Sequence, residues 1–232
     1  GLLPTDELTT LVLDDTRSML WAGGEFGLAQ INIQNSSLDD QIDQDTNGLN
    51  GNPPQKLLIH DDILYYVPVL SSWEWADIAK IDLTNNAGMD VIGVGEGHEL
   101  AGGDCSDCDD AYIHGVNIIE DTMILGVSEA QYNGGGIDYG RILRYNLTNE
   151  SWDAPILPGG DVGNVNAVYI NNRLYITYGD TVKILDSGGN LEQEWPDALN
   201  GPVREIVEYN GEILFATESG IARYDSLTET WL

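Results

Sequence analysis

One unit recurs five times along this chain: apolar strand, tight turn, second apolar strand, loop, third strand. The last copy is the clearest. Ile213-Leu214-Phe215-Ala216 is rich in residues that suit a pleated, half-buried surface. A break follows at Glu218-Ser219-Gly220, where Gly tolerates positive φ. Ile221-Ala222-Arg223-Tyr224 then runs into the turn pair Asp225-Ser226 and a closing Thr230-Trp231. A unit this small cannot bury both of its faces alone, so its repetition dictates the architecture.

The other copies read the same way. Leu11-Val12-Leu13 and Met19 to Ala22 form the first, with Gly27 to Ile31 as third strand. Leu57 to Ile59, Ile63 to Val67 and Ile78 to Asp82 form the second. Val116 to Ile119, Met123 to Gly126 and Arg141 to Tyr145 form the third. Val165 to Ile170, Leu174 to Thr177 and Val182 to Asp186 form the fourth, and Val203 to Val207 opens the fifth. The turn pairs begin at 14, 61, 120, 171 and 210, four steps over 196 residues, about 49 each. Asn210-Gly211 is the strongest hairpin signal among them. A fourth, outer strand is expected to start near Trp152, Trp195 and Trp231.

This period suits four short antiparallel strands per unit. The chain is therefore expected to be all-β: a β-propeller of five four-stranded antiparallel blades around a central channel. The repeats fall at about 5–50, 51–110, 111–160, 161–200 and 201–232, in one domain spanning 1–232. An open sandwich of many strands is the alternative, and five in-phase repeats argue against it.

Gly220-Ile221-Ala222-Arg223-Tyr224-Asp225 with Thr230-Trp231 resembles the two-component regulator propeller repeat. So does Leu20-Trp21-Ala22-Gly23-Gly24 with Gly27-Leu28-Ala29. The resemblance implies a propeller and, by family habit, an extracytoplasmic sensor part of a regulatory protein. Kelch and other propeller repeats are similar at this level. Copies two to four lack the G-L-A-R-Y-D pattern and carry longer insertions, so the motif speaks to packing rather than chemistry.

Composition agrees with one all-β domain: 232 residues, 42% hydrophobic, with Gly 27 for many turns. No run of ~18 apolar residues offers a membrane span, so no direct membrane insertion is expected. Asp+Glu 39 against Lys+Arg 9 gives a net charge of −30, which excludes nucleic acid and anionic membranes as natural partners. Such a surface suits solubility in salty surroundings and is compatible with cation binding. The chain starts at Gly1 rather than Met, which points to a mature or excised form, part of a larger polypeptide. Its two ends read as the two parts of one outer strand, so either a ring closes, with residues 2–5 expected near 228–232, or the piece is cut in phase from a longer array of blades.

Propeller connections alternate between two ends of the blades. The tight hairpins should share one end, and the insertions 34–56, 68–77, 88–115 and 128–140 the other. Long loops on a rigid scaffold are where binding sits. The first insertion contains Asp43-Gln44-Asp45-Thr46-Asn47-Gly48, whose D-x-D-x-N-G spacing offers alternate oxygens to Ca²⁺. It resembles calcium loops of extracellular repeats and EF-hands but has Pro54 where the bidentate Glu would be. Asp39 or Asp40 is the candidate for the missing ligand. A solvated acidic loop is the plain alternative.

The third insertion holds the only two cysteines, Cys105 and Cys108. A local disulfide is the first reading in an exported protein. Zinc, with His98 or His114, is the second, and Ca²⁺ on Asp104, Asp107, Asp109 and Asp110 a third. Neighbouring carboxylates raise a thiol pKa, which disfavours a redox role. Trp73 and Trp75 in one insertion, and Tyr132 and Tyr139 beside Gly134-Gly135-Gly136 in another, are candidates for binding a glycan or peptide. Packing within their own loops is the alternative for these rings. Asn35-Ser36-Ser37, Asn146-Leu147-Thr148 and Asn149-Glu150-Ser151 fit the glycosylation acceptor pattern.

No G-x-S-x-G, H-E-x-x-H or phosphate loop occurs. The chain is therefore read as a non-enzymatic recognition or scaffold domain, extracellular or at the cell surface, with a protein or glycan ligand. A propeller-fold glycosidase or lyase, and a structural surface-layer or adhesion module, are the alternatives.

Overall fold

The computed structural model describes residues 7–42, 52–68, 77–84, 89–94, 108–131, 137–154, 156, 165–178, 180–195, 199 and 201–232. At 89, 108–112, 114, 128–131, 137–140, 165 and 178 it describes the backbone alone. Among the described residues twenty strands form five four-stranded antiparallel sheets, each a simple meander in chain order. Sheet I is β1 (Leu8–Asp14), β2 (Met19–Gly24), β3 (Gly27–Asn32) and β4 (Ser37–Ile42). Sheet II is β5 (Pro54–His60), β6 (Ile63–Pro68), β7 (Ile78–Asp82) and β8 (Met89–Ile92). Sheet III is β9 (Cys108–Ile119), β10 (Thr122–Gln131), β11 (Ile137–Asn146) and β12 (Ser151–Trp152). Sheet IV is β13 (Val165–Ile170), β14 (Arg173–Tyr178), β15 (Thr181–Leu185) and β16 (Leu191–Trp195). Sheet V is β17 (Val203–Tyr209), β18 (Glu212–Thr217), β19 (Gly220–Asp225) and β20 (Thr230–Trp231). The chain forms two compact units, Gly1–Gly95 with sheets I and II, and Glu96–Leu232 with sheets III to V.

The turn residues act as their chemistry requires. Two-residue hairpins of type I′ need φ > 0 at both central positions. Asp61 and Asp62 (47° and 68°), Asn171 and Asn172 (52° and 63°), and Asn210 and Gly211 (53° and 83°) supply it. The first hairpin differs from expectation. Asp14 ends β1 and pairs with Met19, so the turn is Asp15–Ser18. Asp14 is buried, and its carboxylate accepts from the Arg17 backbone N–H (3.0 Å) and from Arg17 Nη1 (3.0 Å), closing a four-residue loop.

A second turn device was read from the sequence only at Asp225-Ser226. Every third strand ends, or is followed at once, by Asn or Asp: Asn32, Asp82, Asn146, Asp186 and Asp225. Each side chain accepts from backbone N–H groups two to four residues on. Gln34 donates to Asn32 (3.0 Å), Thr84 to Asp82 (2.8 Å), Asn149 to Asn146 (2.8 Å), Gly188 to Asp186 (2.8 Å) and Leu227 to Asp225 (2.8 Å). These Asx turns start the connection to the fourth strand.

Three other expectations are corrected. The outer strands β12 and β20 contain Trp152 and Trp231, but β16 ends at Trp195 instead of starting there. The fourth strands of sheets I and II lie inside the segments read as the insertions 34–56 and 88–115. Their sequences, SLDDQI and MDVI, are too polar or too short to signal strand. Cys108 and Asp109 belong to β9, which is twelve residues long and pairs through Cys108↔Gln131. Residues 2–5, which were to test ring closure, lie outside the described residues.

The sheets pack face to face. Trp21 and Leu28 of sheet I meet Leu57, Leu64, Tyr66, Ala79 and Ile81 of sheet II. Ile124 and Ile142 of sheet III meet Ala167, Leu174, Ile176 and Leu185 of sheet IV. Val168, Ile170, Tyr175, Val182 and Ile184 of sheet IV meet Val203, Ile206, Ile213, Phe215 and Tyr224 of sheet V. Trp195 and Trp231 of the outer strands close the seam between sheets IV and V, and Trp152 packs within sheet III. Trp195 stacks near Tyr224 (4.6 Å between centroids) and Trp231 (5.1 Å), and Tyr145 meets Trp152 edge-on at 5.0 Å.

Gly23 explains the L-W-A-G-G motif. A Cβ there would stand 2.3 Å from Pro54 Cγ of sheet II and 3.1 Å from Thr10 Cγ2. Gly23→Ala is expected to push the two sheets apart and lower stability by about 1–3 kcal/mol in denaturant unfolding. The Asx turns also set a pH response. Backbone N–H groups of Thr228 and Leu227 hold the Asp225 carboxylate below its usual range, as the Asn190 side chain does for Asp186. A lowered folded value gives stability that is present above the ordinary carboxylate range and lost as pH falls through the folded value. The thermal midpoint of the parent chain should therefore exceed that of Asp225→Asn at pH 6, and the gap should narrow as pH falls below the ordinary carboxylate range.

Candidate functional site

A four-stranded meander has two unlike ends. The first-to-second and third-to-fourth connections share one end; the second-to-third connections and the links between sheets share the other. Here the first end carries the tight hairpins and Asx turns throughout. The long connections, around 43–53, 69–77, 93–107, 132–136 and 153–164, all leave from the second, as the repeat phase requires.

At that end in the first unit, Pro54 pairs with Pro68 across β5 and β6. The segment bearing Asp43, Asp45 and Asn47 therefore arrives at the very pair from which the segment bearing Trp73 and Trp75 departs. Its arrival is pinned. Thr9 Oγ1 donates to the carbonyls of Pro54 (2.5 Å) and Gly23 (3.1 Å), and the Tyr66 hydroxyl donates to the Asn52 carbonyl. Tyr66 is buried, and burial pushes its phenol well above the ordinary range, so it stays a donor at every physiological pH.

In the second unit the same end of sheet III joins two further candidates. Ala130 of β10 pairs with Asp110 of β9 on one side and Ile137 of β11 on the other. The backbones of Cys108 and Asp109 on β9 and of Tyr139 on β11 thus lie on either side of β10, whose two neighbours are roughly 10 Å apart. The side chains of Cys108, Asp109 and Tyr139 lie outside what is described, as do Asp43, Asp45, Asn47, Trp73, Trp75, Asp104, Cys105, Asp107 and Tyr132 altogether. Asp39 is described. It lies exposed on β4, where its carboxylate accepts from Ser37 Oγ (2.6 Å) and Asn32 Nδ2 (3.5 Å), beside the turn between β3 and β4.

The opposite end of the second unit holds a cleft of about 200 Å³ between sheets III and IV. Ile124, Ile156, Tyr169 and Leu174 floor it, with Glu120, Arg144 and Asp186 at its edge. Arg144 is engaged, donating from Nε (3.2 Å) and Nη2 (2.8 Å) to the Ala154 carbonyl, and Asp186 is held by its own turn. This volume falls short of the ~300–1,000 Å³ of ordinary small-molecule sites. The cleft is a seam between sheets, and sequence reasoning passed over it because no motif marks it.

Most cations are committed to clamping the sheets. Lys80 bridges to Asp90 (2.9 Å) and Lys183 to Glu194 (3.9 Å) across adjacent strands. Arg173 bridges to Glu192 (2.6 Å) and Glu229 (3.0 Å), and Arg223 forks onto Glu212 with 2.7 and 2.8 Å contacts. The Lys80 ammonium holds Asp90, and the Arg223 guanidinium holds Glu212, below the usual carboxylate range. With 39 acids against 9 bases, the carboxylates left over make the surface strongly negative.

No protein-family model matches the sequence, and no curated protein matches it. Solved structures do match in fold. The WD40 domain of Pan2 from Neurospora crassa aligns with TM-score 0.59 and 11% identity over 97% of this chain and 64% of that one. An extracellular domain assigned to a hybrid two-component system, BT4673 from B. thetaiotaomicron, aligns with TM-score 0.69 and 14% identity over 96% of this chain. The computationally designed Ika8 protein aligns with TM-score 0.52 and 10% identity over 94% of this chain and 70% of that one. The chain thus spans about two thirds of the Pan2 domain and 28% of the BT4673 domain. These likenesses and the five meanders establish the fold, a β-propeller of five four-stranded blades. No helix among the described residues is long and apolar enough to cross a membrane.

Proposed function

We propose that this chain is a non-enzymatic recognition or scaffold propeller acting outside the cytoplasm, with a protein or glycan bound at the long-connection end. One observation carries the reading: the segments with Asp43, Asp45 and Asn47 and with Trp73 and Trp75 are tied to a single strand pair, Pro54↔Pro68, on a pinned sheet edge. Binding groups on loops held by a rigid scaffold are the usual arrangement of recognition domains. The extracellular setting of the BT4673 domain and the resemblance to two-component regulator propeller repeats favour a sensor role. The test is a glycan and peptide array probed with the parent chain and with Trp73→Ala/Trp75→Ala. Specific binding by the parent, lost in the variant while the melting curve is kept, is expected. Equal binding by both would sink the reading.

Calcium belongs to the same proposal. Asp43, Asp45 and Asn47 offer hard oxygens at alternate positions, and of the two candidates to complete the set Asp40 is nearer along β4, since Asp39 is engaged beside the β3–β4 turn. At a hundredfold excess over its dissociation constant, Ca²⁺ should stabilise the fold by about 2.7 kcal/mol. Chelation is expected to lower the melting temperature of the parent and leave Asp43→Asn/Asp45→Asn unchanged. A residual chelation response and one surviving calcium-binding step in that double variant would instead mark a second calcium group on Asp104, Asp107 and Asp109.

Cys105 and Cys108 are assigned to a local disulfide, consistent with export. Thiol titration of the unfolded, unreduced chain should find no free thiol. Two thiols, with bound zinc by metal analysis, would replace the disulfide with a metal site.

A further inference from the structure

Three N-x-S/T triplets, Asn35-Ser36-Ser37, Asn146-Leu147-Thr148 and Asn149-Glu150-Ser151, have no part in the proposed recognition. The fold sorts them. Two occupy the same position of the repeat. Third and fourth strands are joined from the pair Asn32↔Ser37 in sheet I and from the pair Asn146↔Ser151 in sheet III. Four residues span each pair, and the third of the four is Asn35 in one turn and Asn149 in the other. The side-chain oxygen that opens the turn accepts from their backbone N–H groups, Asn32 from Asn35 (3.4 Å) and Asn146 from Asn149 (2.8 Å). The fourth residue has positive φ in both, 57° at Ser36 and 50° at Glu150. The hydroxyl residue of each triplet, Ser37 or Ser151, is then the first of the fourth strand.

Asn35 and Asn149 are exposed, and only the last residue of their triplets enters a ladder, at its very end. Asn35 Oδ1 accepts from the Ser37 N–H (2.9 Å), which engages its oxygen and not its nitrogen. Asn146 is placed differently. It is half-buried, pairs with Thr122 on one side and Ser151 on the other, and its Oδ1 anchors the turn. The next residue, Leu147, donates its N–H to the Asp121 carbonyl at 2.8 Å. A transferase has to draw an N-x-S/T triplet out of its surroundings and into its own site, which is why such acceptors lie on surface loops. At Asn146 that would unpair β11 on both sides and undo its turn. At Asn35 and Asn149 it costs one terminal pair.

We propose that Asn35 and Asn149 are acceptor sites for N-linked glycan, selected by their shared place in the repeat, and that Asn146 is not an acceptor. The inference rests on the reading that the chain acts outside the cytoplasm, where saccharides are transferred to protein from a lipid carrier. In the transfer the Asn Nδ2 attacks C1 of a saccharide held on a lipid pyrophosphate. The C1–Nδ2 bond forms, the C1–O bond to phosphate breaks, the lipid pyrophosphate leaves, and Nδ2 gives up one proton. Ser37 Oγ donates to Asp39 (2.6 Å), so the hydroxyl beside Asn35 is engaged and Asn149 is the faster acceptor. Both turns lie at the hairpin end of their sheets. The glycans therefore cover the end opposite the long connections of the same sheet and leave those connections open to a ligand. Sheet V supplies a control. Its turn from Asp225 to Thr230 has the same length, has positive φ at Glu229 (55°), and carries Thr228 at the acceptor position.

The test is glycan transfer to the folded chain by an oligosaccharyltransferase that requires only N-x-S/T, with a lipid-pyrophosphate oligosaccharide as donor. A flexible N-x-T tag appended to the chain reports that the enzyme is active, and intact mass and peptide mapping read occupancy. Glycan is expected at Asn35 and Asn149, earlier at Asn149, and none at Asn146. Asn35→Gln and Asn149→Gln should each remove one glycan and together remove both, while Asn146 stays unmodified in Asn149→Gln. Thr228→Asn should add one glycan, because it completes a triplet with Thr230 at the same position of the turn. A tag that is modified while Asn35 or Asn149 is not would overturn the proposal. So would transfer to Asn146 as fast as to Asn149, or a folded Thr228→Asn chain that gains nothing. The assay contains no export step. Its failure therefore strikes this inference alone and leaves the extracytoplasmic reading to the thiol titration and the arrays.

Discussion

Everything in this fold rests on one constraint: a short four-stranded meander has two apolar faces and can cover neither by itself. The central strands show it most plainly. ILYYVP in sheet II and RLYITY in sheet IV are apolar on both faces, so every second residue must find a neighbouring sheet. Phe215, Tyr175 and Trp21 are fully buried at these seams, and burying a large apolar side chain is worth about 1.5–3 kcal/mol. The outer strands face a neighbour on one side at most, which frees SLDDQI and LEQEW to be polar. Glycine enters where seams run tight, and Gly23 against Pro54 is the clearest case.

Electrostatics is arranged around that packing rather than against it. Most of the cations lie on strands, and Lys80, Lys183 and Arg223 pair with carboxylates one strand away, so they hold strand to strand. Exposed pairs of this kind contribute little each. Their larger effect is to leave the acids of the turns and connections uncompensated. Some of those acids have local partners: Asp186 and Asp225 take backbone N–H groups and prefer the charged state in the fold. A negative surface thus coexists with well-satisfied turns.

The repeat, the hairpins and the phase of the connections were legible because they depend on local chemistry: Asn-Gly at positive φ, alternation along strands, fixed spacing. Strands β4 and β8 were not legible, because an outer strand needs only one apolar face and offers no strong pattern. The start of β9 was hidden for a related reason. Asp and Cys suggest a loop or metal site, and pairing with the extended β10 overrides that local preference. The Asx turns were visible in principle, since an Asn or Asp at the end of each third strand recurs with the repeat. The candidate site was legible as residues but not as geometry. No periodicity governs Asp43, Trp73 or Cys105, and their positions depend on contacts that the repeat does not encode.

The two ends of the sheets therefore carry different kinds of information. At the hairpin end, each turn is set by its own residues: positive φ at Asn171 and Asn172, a side-chain carbonyl at Asn146, a carboxylate at Asp225. Lengthening such a turn would remove the bond that defines it. At the other end the sheet edge is fixed independently of the connections. Thr9, Tyr66 and the Gly23–Pro54 contact hold the strand ends whatever lies between them. A connection leaving from that edge can change in length and composition without disturbing a seam, since its closure cost grows only slowly with length. That asymmetry is why the acidic, aromatic and cysteine-bearing segments collect there. The repeat requires the first end to stay short and leaves the second free to specialise.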